Sequence, residues 1–269
     1  MSSVQNLNPQ DVAALCARVA AAQAEGRQIP KLTNDFPAMG PADGYAIQTA
    51  LRQHYLADGH RLIGWKAGLT SRAKMLQMGV SEPLVGFLTD RMAASEGSAI
   101  SISGARMIHP RVECEIGFVL NQPLAGPHCT AADVLAATDC VVGTLEVIDS
   151  RFESFKFDLP SVIADNGSST RFITGSRVRA AAGLDLRSLG VVLEKNGEIV
   201  AMGAGAAVLG DPAEAVAMLV NILAEQDVRL PAGSFVMSGG ITEAIPVAAG
   251  DSITARFQDL GSITARFVG

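Results

Sequence analysis

Positive charge is in short supply in this chain. Its 21 lysines and arginines are outnumbered by 27 aspartates and glutamates, a net charge of −6. That balance argues against nucleic acid or an anionic membrane as the main partner, because both are bound by neutralising phosphate. Long apolar runs are missing too. No stretch of about 18 uncharged apolar residues is present, so nothing is expected to span a bilayer. The opening residues, Met1 to Asn8, have neither the basic start nor the apolar core of a secretion signal. Cysteine is limited to Cys16, Cys114, Cys129 and Cys140, at spacings that match no zinc motif. These read as reduced thiols, and a cytoplasmic location is the expectation. No Ser-His-Asp or Cys-His constellation is legible, and Gly203 to Gly205 lacks the strand-to-helix setting of a nucleotide loop.

What the chain has is size, apolar content and glycine. With 269 residues, 48% of them hydrophobic, it can bury a full core. Only 18% are charged and 27 are glycine, which suits a body rich in strands and turns. An alanine-rich helix is expected over residues 9–27, N-capped by Asn8 and ending at Gly26. A second helix is expected at 41–58, closed by Gly59. Residues 61–70 read as a strand entering a turn, and 71–78 as a short helix. From about residue 84 short apolar runs alternate with turn residues, broken by helices at 130–138 and 211–226. Asn196-Gly197 predicts a tight hairpin within 191–200. Ser252 to Phe257 (SITARF) recurs as Ser262 to Phe267, which two strands of one hairpin explain most simply. The expected fold class is α+β, with a helical N-terminal portion over 1–80 and a β-rich body over 81–269.

The most informative chemistry lies in Arg111 to Leu120 (RVECEIGFVL). A strand there puts Glu113 and Glu115 on one face, roughly 7 Å apart, with Val112, Cys114 and Ile116 opposite. A later apolar run, Val141 to Asp149, carries Glu146 between β-branched and aliphatic neighbours. A buried carboxylate needs a cation or a proton. Two readings stand open at this point. The Glu-x-Glu pair is the wet face of a half-buried sheet and Glu146 pairs with Arg111 or Arg151; or the three carboxylates converge on a hard, all-oxygen site for Mg²⁺ or Mn²⁺.

Six blocks then resemble, in order, the fumarylacetoacetate hydrolase superfamily. They are Lys31 to Pro37, Gly64 to Ser71 (GWKAGLTS), His109 to Glu115 (HPRVECE), Leu145 to Arg151 (LEVIDSR), Ala164 to Ser169 (ADNGSS) and Gly239 to Thr242 (GGIT). The likeness is to the branch of 2-oxo-acid hydratases and 4-oxalocrotonate decarboxylases. Trp65 to Val80 and Asp149 to Leu159 resemble the decarboxylases more than the hydratases. Hydratases of the group carry an acid in a Pro-Asp-Phe/Tyr-Gly turn, and here Leu84 stands at that position, between Pro83 and Gly86.

The resemblance implies the family's mixed β-sheet roll and a divalent ion, Mg²⁺ or Mn²⁺, held by Glu113, Glu115 and Glu146. It implies metal-dependent loss of CO₂ from 2-oxo-3-hexenedioate (4-oxalocrotonate), giving 2-hydroxypenta-2,4-dienoate. The alternatives are a 2-hydroxypentadienoate hydratase or a non-catalytic partner subunit of such a hydratase. Lys66, between Gly64 and Gly68, is implied as the catalytic lysine, donating to the 2-oxo oxygen. Leu84 is expected to desolvate the departing carboxylate, and Asn166, Ser168 and Thr242 to contact the substrate. Asp149 and Arg151 are expected to brace the Glu146 strand, His109 to be structural, and His54, His60 and His128 to face solvent. The implied partners are a small 2-oxo dicarboxylate, further copies of the chain in a homo-oligomer, and a 2-oxopent-4-enoate hydratase.

Overall fold

The computed structural model describes residues 5–71, 75 and 82–269. The short helix expected at 71–78 falls almost wholly outside that set. Helix α1 (Pro9–Glu25) starts as its sequence demands, with the Asn8 side chain accepting from the Gln10 and Asp11 amides. It ends at Gly26, whose φ of 63° is the left-handed conformation glycine adopts without strain. Helix α2 (Pro41–Ala57) opens with Asp43 accepting from the Gly40 amide at 2.9 Å, and turns Ile47 and Leu51 into the core. Its buried Gln48 donates to Val85 O (2.8 Å) and to Ile163 O (2.9 Å). One amide thereby ties α2 to the two segments that flank the site.

The chain then enters strands β1 (Leu62–Gly68), β2 (Leu84–Thr89), β3 (Ala93–Ala94), β4 (Ala99–Ser101) and β5 (Arg111–Leu120). After β5 come helix α3 (Ala131–Ala137), β6 (Thr138–Ile148), the short helix α4 (Leu159–Ala164) and β7 (Ser169–Ala180). Strands β8 (Gly190–Lys195) and β9 (Glu198–Ala204) form the expected hairpin, with Asn196 and Gly197 both at positive φ. Helix α5 (Pro212–Ala224) precedes β10 (Phe235–Met237), β11 (Ile245–Pro246), β12 (Ser252–Phe257) and β13 (Gly261–Val268). By length and composition alone, Gly205–Ala224 is apolar enough to cross a membrane. Its α5 portion buries Ala213, Val216, Leu219, Val220 and Leu223, as a core helix does.

Two sheets result. One is eight-stranded and mixed, in the order β2-β1-β10-β5-β6-β7-β3, with β11 on the start of β5. The other is five-stranded, β4-β13-β12-β8-β9. The repeated SITARF segments are β12 and β13, paired antiparallel, each burying isoleucine, alanine and phenylalanine while its arginine stays exposed. Gly143 on β6 is what lets the second sheet lie close: a Cβ there would sit 2.7 Å from the Phe257 ring. Several short elements escaped the sequence reading. Helix α4 is only six residues, and β10 is three residues threaded between β1 and β5. Elements that short carry no readable period.

Candidate metal centre and substrate cavity

The β5–β6 register makes Glu113 and Glu146 direct Cα partners, and pairs Glu115 with Thr144. Alternation keeps Glu113 and Glu115 on one face, so all three carboxylates meet. One oxygen from each lies within 4.8 Å of the others, and all three side chains are buried. Of the two readings the sequence left open, the wet sheet face is therefore excluded. So is an ion pair of Glu146 with Arg111 or Arg151. Arg151 is turned away, bound through Nε to Asp165 Oδ1 and through Nη2 to Asp165 O at 2.7 Å. The cation beside Glu146 is Lys66, whose Nζ stands 2.9 Å from Glu146 Oε2.

Lys66 rises from β1 and is buried, only 2% exposed. Glycines make room for it. A Cβ on Gly86 would lie 3.0 Å from Lys66 Cδ, and one on Gly68 would lie 3.4 Å from Nζ. Gly64, on the same strand, serves packing instead, because a Cβ there would collide with Phe235 O.

The electrostatics follow from burial. Desolvation and the neighbouring carboxylates of Glu146 and Glu113 push Glu115 well above the ordinary carboxylate range, against the pull of Lys66. Burial also raises Glu146, with Lys66 opposing and Glu113 adding to the rise. Burial pushes the Lys66 ammonium toward neutrality, but the carboxylates of Glu146, Glu115 and Glu113 outweigh it and leave its pKa raised. Glu115 Oε2 accepts from the Gly239 amide at 2.8 Å, while Glu115 Oε1 and Glu146 Oε1 are buried with no hydrogen-bond partner among the described residues. Orphaned, clustered carboxylate oxygens are what a hard divalent cation requires. The donor set fits such an ion.

Beside the carboxylates lies a cavity of about 140 Å³. Lys66, Glu113, Leu84 and Ser168 all line it. Ser168 sits in a run of left-handed residues with Asn166 and Gly167 (Asn166 φ 52°, Gly167 61°, Ser168 61°), and its buried Oγ has no partner among the described residues. Asn166 departs from its expected role. Its Oδ1 accepts from Phe87 N (2.8 Å) and its Nδ2 donates to Phe87 O (2.9 Å), so both ends of the amide are spent on β2. Thr242 departs likewise. Its Oγ1 accepts from Cys114 N at 3.2 Å, propping β5 between the two glutamates, and it does not line the cavity.

Asp149 braces as expected, accepting from the Ile108 and His109 amides at 2.8 and 2.7 Å. His109 packs its ring on Phe155 at 5.1 Å, and burial holds its pKa below the usual histidine value. His54 and His128 are exposed, but His60 is only partly so. It stacks on Tyr55 at 5.0 Å and stands 3.2 Å from Thr89 Oγ1. The sequence reading missed Arg111, Phe155, Phe157 and Val162 as residues that line the cavity. Arg111 was findable, since it shares the alternation of Glu113 and Glu115. The two phenylalanines were not, because a loop with Ser154 and Phe155 at positive φ carries them.

Comparison with known proteins agrees with this geometry. Residues 64–268 match the family model for the fumarylacetoacetate (FAA) hydrolase C-terminal region. A 4-oxalocrotonate decarboxylase from Pseudomonas sp. (strain CF600) is 54% identical over 98% of this chain and 99% of its own length. A 2-hydroxyhexa-2,4-dienoate hydratase from Comamonas testosteroni is 38% identical over 90% of this chain and 91% of its own. The solved 4-oxalocrotonate decarboxylase from Pseudomonas putida G7, complexed with magnesium and adipate, superposes with a TM-score of 0.95. It is 52% identical, over 98% of this chain and 100% of that one. The chain belongs to the fumarylacetoacetate hydrolase family, with the three-carboxylate cluster on its β5–β6 ladder.

Proposed function

We propose that this protein is a divalent-metal-dependent carboxy-lyase that converts 2-oxo-3-hexenedioate (4-oxalocrotonate) to 2-hydroxypenta-2,4-dienoate and CO₂, a step in the breakdown of aromatic ring-cleavage products. Full-length likeness to decarboxylases at 54% identity supports the reaction. The observation that carries it is the buried meeting of Glu113, Glu115 and Glu146 beside Lys66. Those carboxylates would hold Mg²⁺ or Mn²⁺, which when bound supplies Lewis-acid stabilisation of charge on the substrate's ketone oxygen.

The chain's own residues account for the rest. Breaking the C5–C6 bond releases CO₂ and sends its electron pair through the conjugated carbons to that oxygen. Lys66, kept protonated by its carboxylate neighbours, has a proton on Nζ to give there, completing the 2-hydroxy product. Leu84, 1% exposed and beside Gly68 and Gly167, withholds water from the departing carboxylate. The Ser168 hydroxyl, buried and without a partner among the described residues, is available to a substrate oxygen.

The hydratase likeness at 38% identity supports a second reading, water addition to 2-hydroxypentadienoate. Supplying each substrate with Mg²⁺ separates the two. CO₂ release from the six-carbon dicarboxylate upholds the decarboxylase; water addition to the five-carbon dienol with no CO₂ release upholds the hydratase. The same reading includes assembly as a homo-oligomer, association with a 2-oxopent-4-enoate hydratase that takes up the dienol, and a cytoplasmic location. Size-exclusion chromatography alone and with the hydratase tests both associations.

A further inference from the structure

Arg111 begins β5 and shares its face with Glu113 and Glu115. The order along that face runs from Glu115, the deepest, through Glu113 to Arg111. The guanidinium lines the cavity and lies 4.5 Å from the centroid of Phe155, on a ring that His109 also contacts at 5.1 Å. The ion pairs among the described residues, such as Lys66–Glu146 and Arg151–Asp165, do not include Arg111, and Glu243 lines the same cavity. A half-buried arginine outside the ion pairs of the described residues, stacked on an aromatic ring and lining a ligand cavity, is set up to receive an anion.

Spacing says which anion. Two residues along a strand advance about 6.8 Å, so Arg111 stands one such step outward from Glu113. An extended six-carbon chain with its 2-oxo acid end at the glutamates carries its far carboxylate about that distance. We infer that Arg111, held by Phe155, is the specificity-determining residue that binds the second carboxylate of a dicarboxylate substrate. This rests on the reading of the glutamate cluster as a metal centre for 2-oxo acids. It also has a consequence for turnover. Loss of CO₂ removes the group that Arg111 holds, so the monocarboxylate product leaves a site that the dianion occupies tightly.

The test is calorimetric binding to Mg²⁺-loaded protein, wild type against Arg111→Gln and Arg111→Lys, with two probes. Oxalate fills only the chelating end; adipate spans six carbons and carries both carboxylates. Losing a charge-assisted contact is expected to weaken adipate about ten- to a hundredfold in Arg111→Gln. Oxalate affinity is expected to stay unchanged, and Arg111→Lys to keep part of the adipate affinity. Adipate binding that is unchanged in both variants overturns the inference. So does an equal loss for oxalate and adipate, which would put Arg111 at the metal end. Failure of wild-type protein to bind oxalate with Mg²⁺ strikes instead at the metal-centre reading. Melting temperatures of the variants separate misfolding from lost contact, and Arg111→Lys serves alone if Arg111→Gln does not fold.

Discussion

Lys66 Nζ lies 2.9 Å from Glu146 Oε2, although β10 and β5 both stand between their strands in the sheet. Strands spaced about 4.8 Å apart would hold these side chains out of reach on a flat surface. The curl of the sheet closes the gap. Lys66 is thus the counter-charge that makes a nest of buried glutamates tolerable, as well as the proposed proton donor.

Replacing Lys66 with Met should therefore harm both fold and turnover. Removing one partner of a buried ion pair costs about 3–5 kcal/mol, and the metal-free variant should unfold at correspondingly lower urea. Turnover should fall about 10²- to 10⁴-fold as general-acid help is lost. A variant as stable and active as wild type would contradict both roles.

Glu115→Gln makes the opposite prediction for the metal-free protein. Burial and two neighbouring carboxylates already favour a proton on Glu115, so a neutral isostere asks little of the fold. Metal-free stability should hold or rise, while the rise in melting temperature on adding Mg²⁺ should disappear. A large loss of metal-free stability would mean that Glu115 serves the fold rather than the ion.

The pH dependence has a definite sign. The folded pKa values of Glu115 and Glu146 are raised, so the native state keeps protons that the unfolded chain releases above about pH 4.5. Stability of the chelated protein should then fall as pH rises from about 4.5 through the raised pKa values of these two glutamates. Lys66, raised in its turn, contributes stability throughout that window and loses it as pH climbs from the ordinary lysine range through its own raised pKa. Melting curves should show a decline of a few degrees without metal, removed by saturating Mg²⁺. Rising stability of the chelated protein over that range would refute the assignment.

Leu84→Asp tests the dry wall of the cavity. A carboxylate beside Gly68 and Gly167 would bring water and repel the departing carboxylate. CO₂ release should fall at least about tenfold, while Mg²⁺ still raises the melting temperature. Leu84→Met, which keeps volume and polarity, should stay close to wild type. Undiminished release from the aspartate variant removes Leu84 from the account.

The metal cluster was legible because it follows from period two. Glu113 and Glu115 share parity, and Glu146 lies among apolar neighbours that demanded a partner. The cap at Asn8, the Asn196-Gly197 turn and the SITARF hairpin were legible for the same reason: each is a local rule. What stayed hidden depends on long-range geometry. Nothing in the Asn-Gly-Ser-Ser turn says that the Asn166 amide is used up by Phe87, 79 residues away. Nor does Thr242 declare that its hydroxyl supports Cys114 across 128 residues. The sequence also left the partner of Glu146 open between two arginines, and the fold supplied Lys66 from a strand three places away.

The most direct test is the rate of CO₂ release from 2-oxo-3-hexenedioate by protein stripped of metal in excess chelator, before and after Mg²⁺ is restored. The wild-type chain should be inactive when stripped and recover fully on restoration, and Glu115→Gln should stay inactive in both states. Full turnover in excess chelator would contradict the claim that these three glutamates hold the ion on which the reaction depends.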